Sequence, residues 1–312
     1  MNDAKVLKAA NDKAAGSTRQ RVSRTNYGNI EISIPPYPEQ TRIAEILSTA
    51  DKAIEQTEKL IAKYKRIKTG LMHDLLTYGI DEHGNIRSKA THKFVIKKGI
   101  EVPEEWEVSE LIDLCADKRN GIQTGPFGAQ LHARDYVEEG IPLILIRNIV
   151  DGKIIEKDIP KITIQKANEL KRYRIKKDDI IFSRVGAVGR VSIAEEKHNG
   201  WLISGQMLRA RLENPNIDIR FLKYLIQTFE FKQRLKKEIL GTTRESINTK
   251  ILEELLISIP KKDEQKEISD TLERIDATLD ELDINKSKQQ STKTGLMQDL
   301  LSGRVRVKIN EE

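Results

Sequence analysis

GTTRESINTKILEELLISIPKKDEQKEISDTLERIDATLDELDINKSKQQSTKTGLMQDLL, residues 241–301, is a second version of GSTRQRVSRTNYGNIEISIPPYPEQTRIAEILSTADKAIEQTEKLIAKYKRIKTGLMHDLL, residues 16–76. The two align without a gap at an offset of 225 residues. Gly16-Ser17-Thr18-Arg19 falls on Gly241-Thr242-Thr243-Arg244, Ile32-Ser33-Ile34-Pro35 on Ile257-Ser258-Ile259-Pro260, and Glu39-Gln40 on Glu264-Gln265. Lys68-Thr69-Gly70-Leu71-Met72 falls on Lys293-Thr294-Gly295-Leu296-Met297, and both copies close with Asp-Leu-Leu. The period is far longer than that of a solenoid, so the chain reads as one module used twice around a large unrepeated insert.

In each copy Ser-Ile-Pro ends a short β-rich run, and a helix begins a few residues later. Glu-Gln sits in its first turn, where negative charge suits the helix dipole. Apolar residues then recur at three- and four-residue spacing. In copy one they are Leu47, Ala50, Ile54, Ile61, Leu71 and Leu75, with Thr57, Tyr64 and Lys68 in the remaining seats. In copy two they are Leu272, Ile275, Leu279, Leu282, Leu296 and Leu300, with Lys286, Gln289 and Lys293 between. Each seam predicts a helix about 55 Å long at ~1.5 Å per residue, too long and too polar outside to be stable alone. The two are expected to bury their seams against each other as a coiled coil whose polar middle fixes the register.

The insert carries the globular content. Of 312 residues 38% are hydrophobic, enough for a real core in at least one of about two domains. Lys and Arg number 54 against 48 Asp and Glu, a net charge of +6 that is compatible with nucleic acid without requiring it. Cys115 is the only cysteine, which excludes an internal disulfide framework and a cysteine zinc cluster. With no signal-like N-terminus and no run of 18 apolar residues, the expectation is a soluble cytoplasmic protein away from membranes.

Residues 1–15 read as a short helix ending at Gly16, and Tyr78 to Thr91 as a polar linker. From about Phe94 to Leu240, β-rich runs alternate with Gly-rich turns: residues 142–146, 179–182, 190–194 and 207–212. Phe221 to Leu240 predicts a closing helix, and Ile251 to Ile259 a β-rich run leading into the second long helix. The fold class is therefore α+β, one mixed-sheet domain plus two long helices. Because Gly241 follows a long helical pattern whereas Gly16 does not, the first copy begins as though a preceding domain had been removed.

Catalytic signatures are missing. An adenine methyltransferase needs Asn/Asp-Pro-Pro-Tyr/Phe to hold the flipped base, and Ile34-Pro35-Pro36-Tyr37 has the wrong first residue. There is no P-loop, and Gly121 to Gly128 lacks the spacing of a dinucleotide loop. The histidines are scattered without a metal-binding spacing. Asp179 with Glu195-Glu196-Lys197 loosely imitates a nuclease pattern that a solvated turn explains as well.

What remains is a surface for reading nucleic acid. Between Lys161 and Arg190 nine basic residues face three acidic ones, a local excess of +6. Long cations neutralise phosphate, whereas reading sequence needs donors and acceptors such as Arg for guanine and Gln or Asn for adenine. The candidates are Gln123, Thr124, Arg147, Asn148, Arg172, Arg174, Ser183, Arg184, Arg190, Ser204, Gln206 and, in the repeat, Arg244.

At these residues the chain resembles the specificity subunits of type I restriction-modification enzymes. The resemblance is carried by Val102-Pro-Glu-Glu-Trp106-Glu-Val, Gly125-Pro-Phe-Gly128-Ala-Gln130-Leu131, Gly140-Ile-Pro142, Asp178 through Arg190, and Gly-[Ser/Thr]-Thr-Arg followed by Ile-Pro and Glu-Gln in both repeats. It covers essentially the chain from Gly16 to Arg306. It implies two target recognition domains alternating with two helical regions that form an antiparallel coiled coil, here without most of the first recognition domain. The implied boundaries are 1–38 for the end of a first recognition domain, 39–80 for the first helical region, 81–260 for the recognition domain and 261–307 for the second helical region.

The resemblance also implies a non-catalytic protein that reads half of a two-part site on double-stranded DNA. It would dock methyltransferase (modification) subunits and, through the complex, a restriction subunit. S-adenosylmethionine and ATP would belong to those partners. Leu47, Ile54, Ile61, Leu71, Leu272, Ile275, Leu279, Leu282 and Leu296 are the expected interface seam. A rod of about 55 Å against ~34–36 Å per DNA turn implies an unread spacer between half-sites, and a homodimer with two-fold symmetry would restore the second reader. The other reading left open is a stand-alone coiled-coil scaffold or regulator that binds DNA or protein.

Overall fold

The computed structural model describes residues 8, 11–12, 14, 22–30, 34–150, 152–186, 189–239 and 246–308. The expected helix over residues 1–15 lies almost wholly outside them. Two compact units divide the chain: Met1–Ile67 with Ile275–Glu312, and Lys68–Arg274. No helix among the described residues is long and apolar enough to cross a membrane.

The first unit is built on two helices, Tyr37–Thr77 and Lys262–Leu301, over the parts of each that belong to it. Both begin just after a proline of the repeat. Gln40 folds its side-chain nitrogen back onto the Pro35 carbonyl at 2.8 Å, and Gln265 does the same to Pro260 at 2.9 Å. The Glu-Gln of the repeat is thus a local helix-start device in both copies. The helices run antiparallel, since cross-helix partners descend in number as the first helix ascends. Asp51 pairs with Lys293 at 2.5 Å, Thr57 with Gln289 at 3.0 Å, and Glu58 with Lys286 at 3.3 Å. These are the polar seats of the two seams meeting one another, the kind of contact that fixes register in a coiled coil. Around them Ile43, Ile61, Leu279 and Leu300 are buried, and Leu47, Ile54, Ile275, Leu282 and Leu296 are half-buried.

The ends of the expected seam go elsewhere. Leu272 is fully buried in the core of the second unit, and Leu71 packs against that same core beside Leu75, Leu76 and Ile268. Apolar periodicity alone does not distinguish the segment of a long helix that meets another helix from the segment that meets a sheet domain.

In the second unit the strands are β1 (Phe94–Lys97), β2 (Ile100–Pro103), β3 (Glu107–Glu110), β4 (Ile122–Thr124), β5 (Tyr136–Val137), β6 (Ile141–Ile144) and β7 (Ile149–Val150). They continue with β8 (Lys153–Ile154), β9 (Lys161–Ile162), β10 (Ile180–Ser183), β11 (Val191–Ile193), β12 (Leu202–Ile203), β13 (Met207–Ala210) and β14 (Leu256–Ile259). Two four-stranded sheets dominate, ordered β11-β10-β13-β4 and β12-β6-β9-β5. The first is antiparallel throughout. The second is mixed, because β12 lies parallel to β6 while the other pairs are antiparallel. All four residues of β10 are buried, as are all four of β13, including Arg209, whose guanidinium donates to the Arg174 and Asn120 carbonyls. Trp106, Phe182, Phe221 and Phe231 are the largest fully buried side chains of the main core, with the Trp106 and Phe221 rings edge-on at 6.3 Å.

Three sequence expectations change here. Tyr78–Thr91 is a packed turn, not a loose linker: Ile80 bridges to Ile86, and Gly79 sits at positive φ where a Cβ would collide with Glu264. The helix expected over Phe221–Leu240 is two, Ile219–Leu225 and Phe229–Ile239. They are separated at Thr228, whose hydroxyl accepts from the Phe231 amide as an N-cap. Likewise the run from Ile251 to Ile259 starts as a short helix, Thr249–Glu253, capped by Asn248, before β14 begins at Leu256.

Candidate nucleic-acid interface

Strand register puts Thr124, Met207, Ser183 and Val191 at one end of the antiparallel sheet: Leu208 faces Thr124, Ser183 faces Met207 and Phe182 faces Val191. Three loops leave the sheet there, after β4, between β10 and β11, and before β13. The first and third interlock through glycines. A Cβ on Gly125 would lie 2.1 Å from the Ser204 carbonyl oxygen, and one on Gly205 2.3 Å from that of Pro126. Only glycine permits so close an approach of two backbones. The middle loop joins them, since the Arg184 amide donates to the Gln206 carbonyl at 2.8 Å and the Arg184 carbonyl accepts from the Ile247 amide at 2.9 Å.

Several of the expected reading residues lie on this edge. Gln206 is exposed. Arg184 is half-buried, its guanidinium 5.1 Å from the centre of the Phe127 ring, and its buried Nε has no hydrogen-bond partner. Arg190 reaches across to the Ile149 carbonyl at 3.1 Å, which brings the exposed Arg147 segment alongside; Arg147 itself reaches the Asp158 carbonyl at 3.4 Å. Thr124 is half-buried at the end of β4, and Ser204 is buried with its hydroxyl unpartnered.

Other candidates are engaged in structure. Asn148 is buried, its oxygen taking the Leu145 amide at 3.1 Å and its nitrogen donating to the Ile155 carbonyl at 3.1 Å. Ser183 is buried, and its hydroxyl accepts from the Arg190 amide at 3.0 Å. The oxygen and the nitrogen of the Asn148 amide therefore both serve backbone that would otherwise be unpaired. Arg174 ties Asn168 at 2.9 Å and Gly200 at 3.4 Å within the domain. Gln123 and Arg172 bind each other: with the amide nitrogen facing the Arg172 carbonyl at 2.8 Å, its oxygen accepts from Arg172 Nε at 3.3 Å and Nη2 at 3.1 Å. Arg244 lies outside the described residues.

The basic run separates in the same way. Lys166 pairs with Glu169 at 3.1 Å, Lys176 with Glu213 at 2.9 Å and Lys177 with Glu196 at 3.7 Å. Among the described residues no carboxylate pairs with Arg184, Arg190 or Arg147, so this loop edge carries three arginines whose charge is not locally neutralised, although other arginines of the domain, such as Arg119, Arg134 and Arg172, share that state. Cations held without acidic partners on one face are the electrostatic footprint of a phosphate-bearing ligand.

The residues of the nuclease-like spacing are held in ion pairs. Asp179 is buried and bound by Arg211, Nε to Oδ1 at 2.7 Å and Nη2 to Oδ2 at 2.6 Å, while Lys197 pairs with Glu156 at 2.7 Å. The nuclease-like spacing thus resolves into structural ion pairs. Burial pushes the Cys115 thiol up to about 11, which keeps it protonated at neutral pH. Phe127, exposed on the loop after β4, entered the sequence reading only as part of the Gly125–Leu131 motif and not as a candidate contact.

A family model described as type I restriction modification DNA specificity domain matches residues 4–66 and 103–290. Among curated proteins, the chain is 28% identical over 297 residues to the type I restriction enzyme MjaVIII specificity subunit of Methanocaldococcus jannaschii, covering 94% of this chain and 66% of that protein. It is 24% identical to the type I restriction enzyme EcoBI specificity subunit of Escherichia coli, covering 95% of this chain and 62% of that protein. The chain therefore spans rather less than two thirds of the length of these relatives. In fold it is similar to the crystal structure of the HsdS subunit from Thermoanaerobacter tengcongensis, with a TM-score of 0.55 and 16% identity over 96% of this chain and 66% of that one.

Proposed function

We propose, from the premise that the chain belongs to the family of type I restriction modification DNA specificity domains, that it is the DNA-reading subunit of such a system. Residues 68–274 read a half-site on double-stranded DNA, and the paired helices dock methyltransferase (modification) subunits, which link the chain to a restriction subunit. The chain is non-catalytic: S-adenosylmethionine and ATP belong to the partners, and the complex works in the cytoplasm. A second reading domain comes from a homodimer. The observation that carries this reading is the loop edge where Arg184, Arg190 and Arg147 lack carboxylate partners beside the exposed Gln206.

The test is co-expression of the full chain with its modification subunit, followed by co-purification and mapping of methylated adenines. The expected result is a stable complex that methylates one defined sequence. Arg184→Ala and Gln206→Ala should weaken binding to that sequence more than to random DNA, because base-edge contacts carry ~1–3 kcal/mol of discrimination each and phosphate contacts carry none. Leu279→Asp places a charge in the buried seam and should abolish co-purification while the sheet domain stays folded. A complex that is unchanged by Leu279→Asp, or methylation with no sequence preference, would favour the stand-alone scaffold instead.

A further inference from the structure

The geometry points to Phe127 as a stacking residue for a nucleobase, a ring that enters or caps the stack at one base step of double-stranded DNA. The inference rests on the DNA-reading function proposed above and adds a contact of a different kind from hydrogen bonding.

A single exposed aromatic on a protein surface is ordinary, so the surroundings decide. Phe127 is 53% exposed, yet its loop is held by the interlock in which Gly125 and Gly205 each meet the backbone of the other's loop. The ring is therefore presented on fixed backbone rather than on a free tip. Arg184 lies over one face at 5.1 Å, with its Nε buried and unpartnered and no carboxylate to neutralise it among the described residues. In the neighbouring loop the Ser204 hydroxyl is also buried and unpartnered. Buried polar atoms left without partners are uncommon, and the Arg184 Nε against this exposed ring points to a group kept ready for a ligand.

Phe229 makes the contrast. It is more exposed at 70%, but it starts a helix and carries no cation over its ring among the described residues. Phe127 and Arg184 together offer a π-face, a positive charge for phosphate and a planar guanidinium that can lie along a base. Apolar side chains use this chemistry to part base steps, and aromatic ones to stack on exposed bases. A protein partner would instead require an acidic or apolar counter-surface, and the uncompensated arginines on this edge argue for phosphate.

The experiment uses the full chain in complex with its modification subunit. A pool of randomised double-stranded DNA 40-mers is taken through rounds of selection, and one enriched duplex is remade with 2-aminopurine at each position in turn. Besides the rise at any adenine flipped by the modification subunit, wild type should give a further fluorescence rise at one other position, where a base loses its neighbour. Phe127→Ala should remove that rise and weaken the enriched duplex about tenfold or more, the loss of one base–aromatic stack, while changing affinity for the unselected pool less than twofold. Phe127→Leu, which keeps apolar bulk, should recover part of the effect. If Phe127→Ala matches wild type in both readouts, the inference falls and the ring merely shields Arg184. A wild-type complex that enriches no duplex overturns the DNA-reading function and this inference together.

Discussion

The repeated first-turn glutamate binds an arginine in both copies, and the two pairs sit in different surroundings. In the second unit, Glu264 takes Arg87 Nη1 at 2.5 Å and Nη2 at 3.1 Å, the Ile80 amide at 3.0 Å and the Trp106 indole N–H at 3.0 Å. In the first, the matching Glu39 takes Arg306 Nε at 2.8 Å and Nη2 at 2.7 Å and the Val307 amide at 3.3 Å. Each is a first-turn glutamate that accepts from an arginine and a backbone amide beyond the end of the other long helix. The Arg306 guanidinium, through that hydrogen bonding, holds the Glu39 carboxyl below its ordinary range. The covering differs: Arg87 is 8% exposed under Trp106, whereas Arg306 is 69% exposed. The repeat thus supplies the glutamate, each copy finds its arginine beyond the repeat, and the worth of the contact is set by what lies over it.

Breaking each clasp should expose that difference, with the largest effect at Glu264. Glu264→Ala leaves Arg87 as a buried cation without its partner, a situation that costs about 3–5 kcal/mol. Glu39→Ala leaves Arg306 free to turn into water and should cost less. Both tryptophans, Trp106 and Trp201, lie in the second unit, so denaturation followed by tryptophan fluorescence reads that unit selectively. Its midpoint should fall for Glu264→Ala and stay put for Glu39→Ala. Equal shifts would mean that burial is not what separates the two clasps.

A finer cut removes only the covering donor. Trp106→Phe keeps an aromatic in a fully buried site beside Phe221 but deletes the indole N–H to Glu264, leaving a carboxylate short of one hydrogen bond. The expected loss is ~1.5–3 kcal/mol, the usual weight of a hydrogen bond to a charged group, read by the remaining Trp201. The first copy, with no indole in its clasp, has no counterpart to this change among the described residues.

What was legible in the sequence follows the reach of each interaction. The paired helices were readable because a fixed offset of 225 residues repeats most of their apolar seam; the Thr57–Gln289 contact itself was not, since Leu282 and Tyr64 stand at the matching places of the repeat. The helix starts were readable from Pro and Glu-Gln. The partner of Glu264 was not, because Arg87 is 177 residues away in a stretch whose Asp, Gly, Asn and Ser read as a linker. That Asn148 and Ser183 bond backbone was not legible for another reason: a polar residue in a loop looks the same in sequence whether it turns outward to a ligand or inward to backbone. Their neighbours Arg147 and Arg184 carry the charge that burial without a partner would penalise. The aromatic at Phe127 was hidden by its setting, since Gly-Pro-Phe-Gly advertises a turn more strongly than a contact.

The smallest expected effect tests where the two copies should behave alike. Gly70 and Gly295 occupy matching places inside the long helices, and a Cβ built on either meets no atom within 4 Å. Glycine in a helix interior is worse than alanine by ~0.5–1 kcal/mol, through backbone entropy, and nothing inside the chain offsets that here. Gly70→Ala and Gly295→Ala should each raise stability by ~0.5–1 kcal/mol, with Gly70→Ala visible by tryptophan fluorescence and both visible by helix circular dichroism. A loss of stability at either position would contradict the open space around it. A gain in stability at both, accompanied by weaker co-purification with the modification subunit, would instead show that the missing Cβ makes room for a partner's surface.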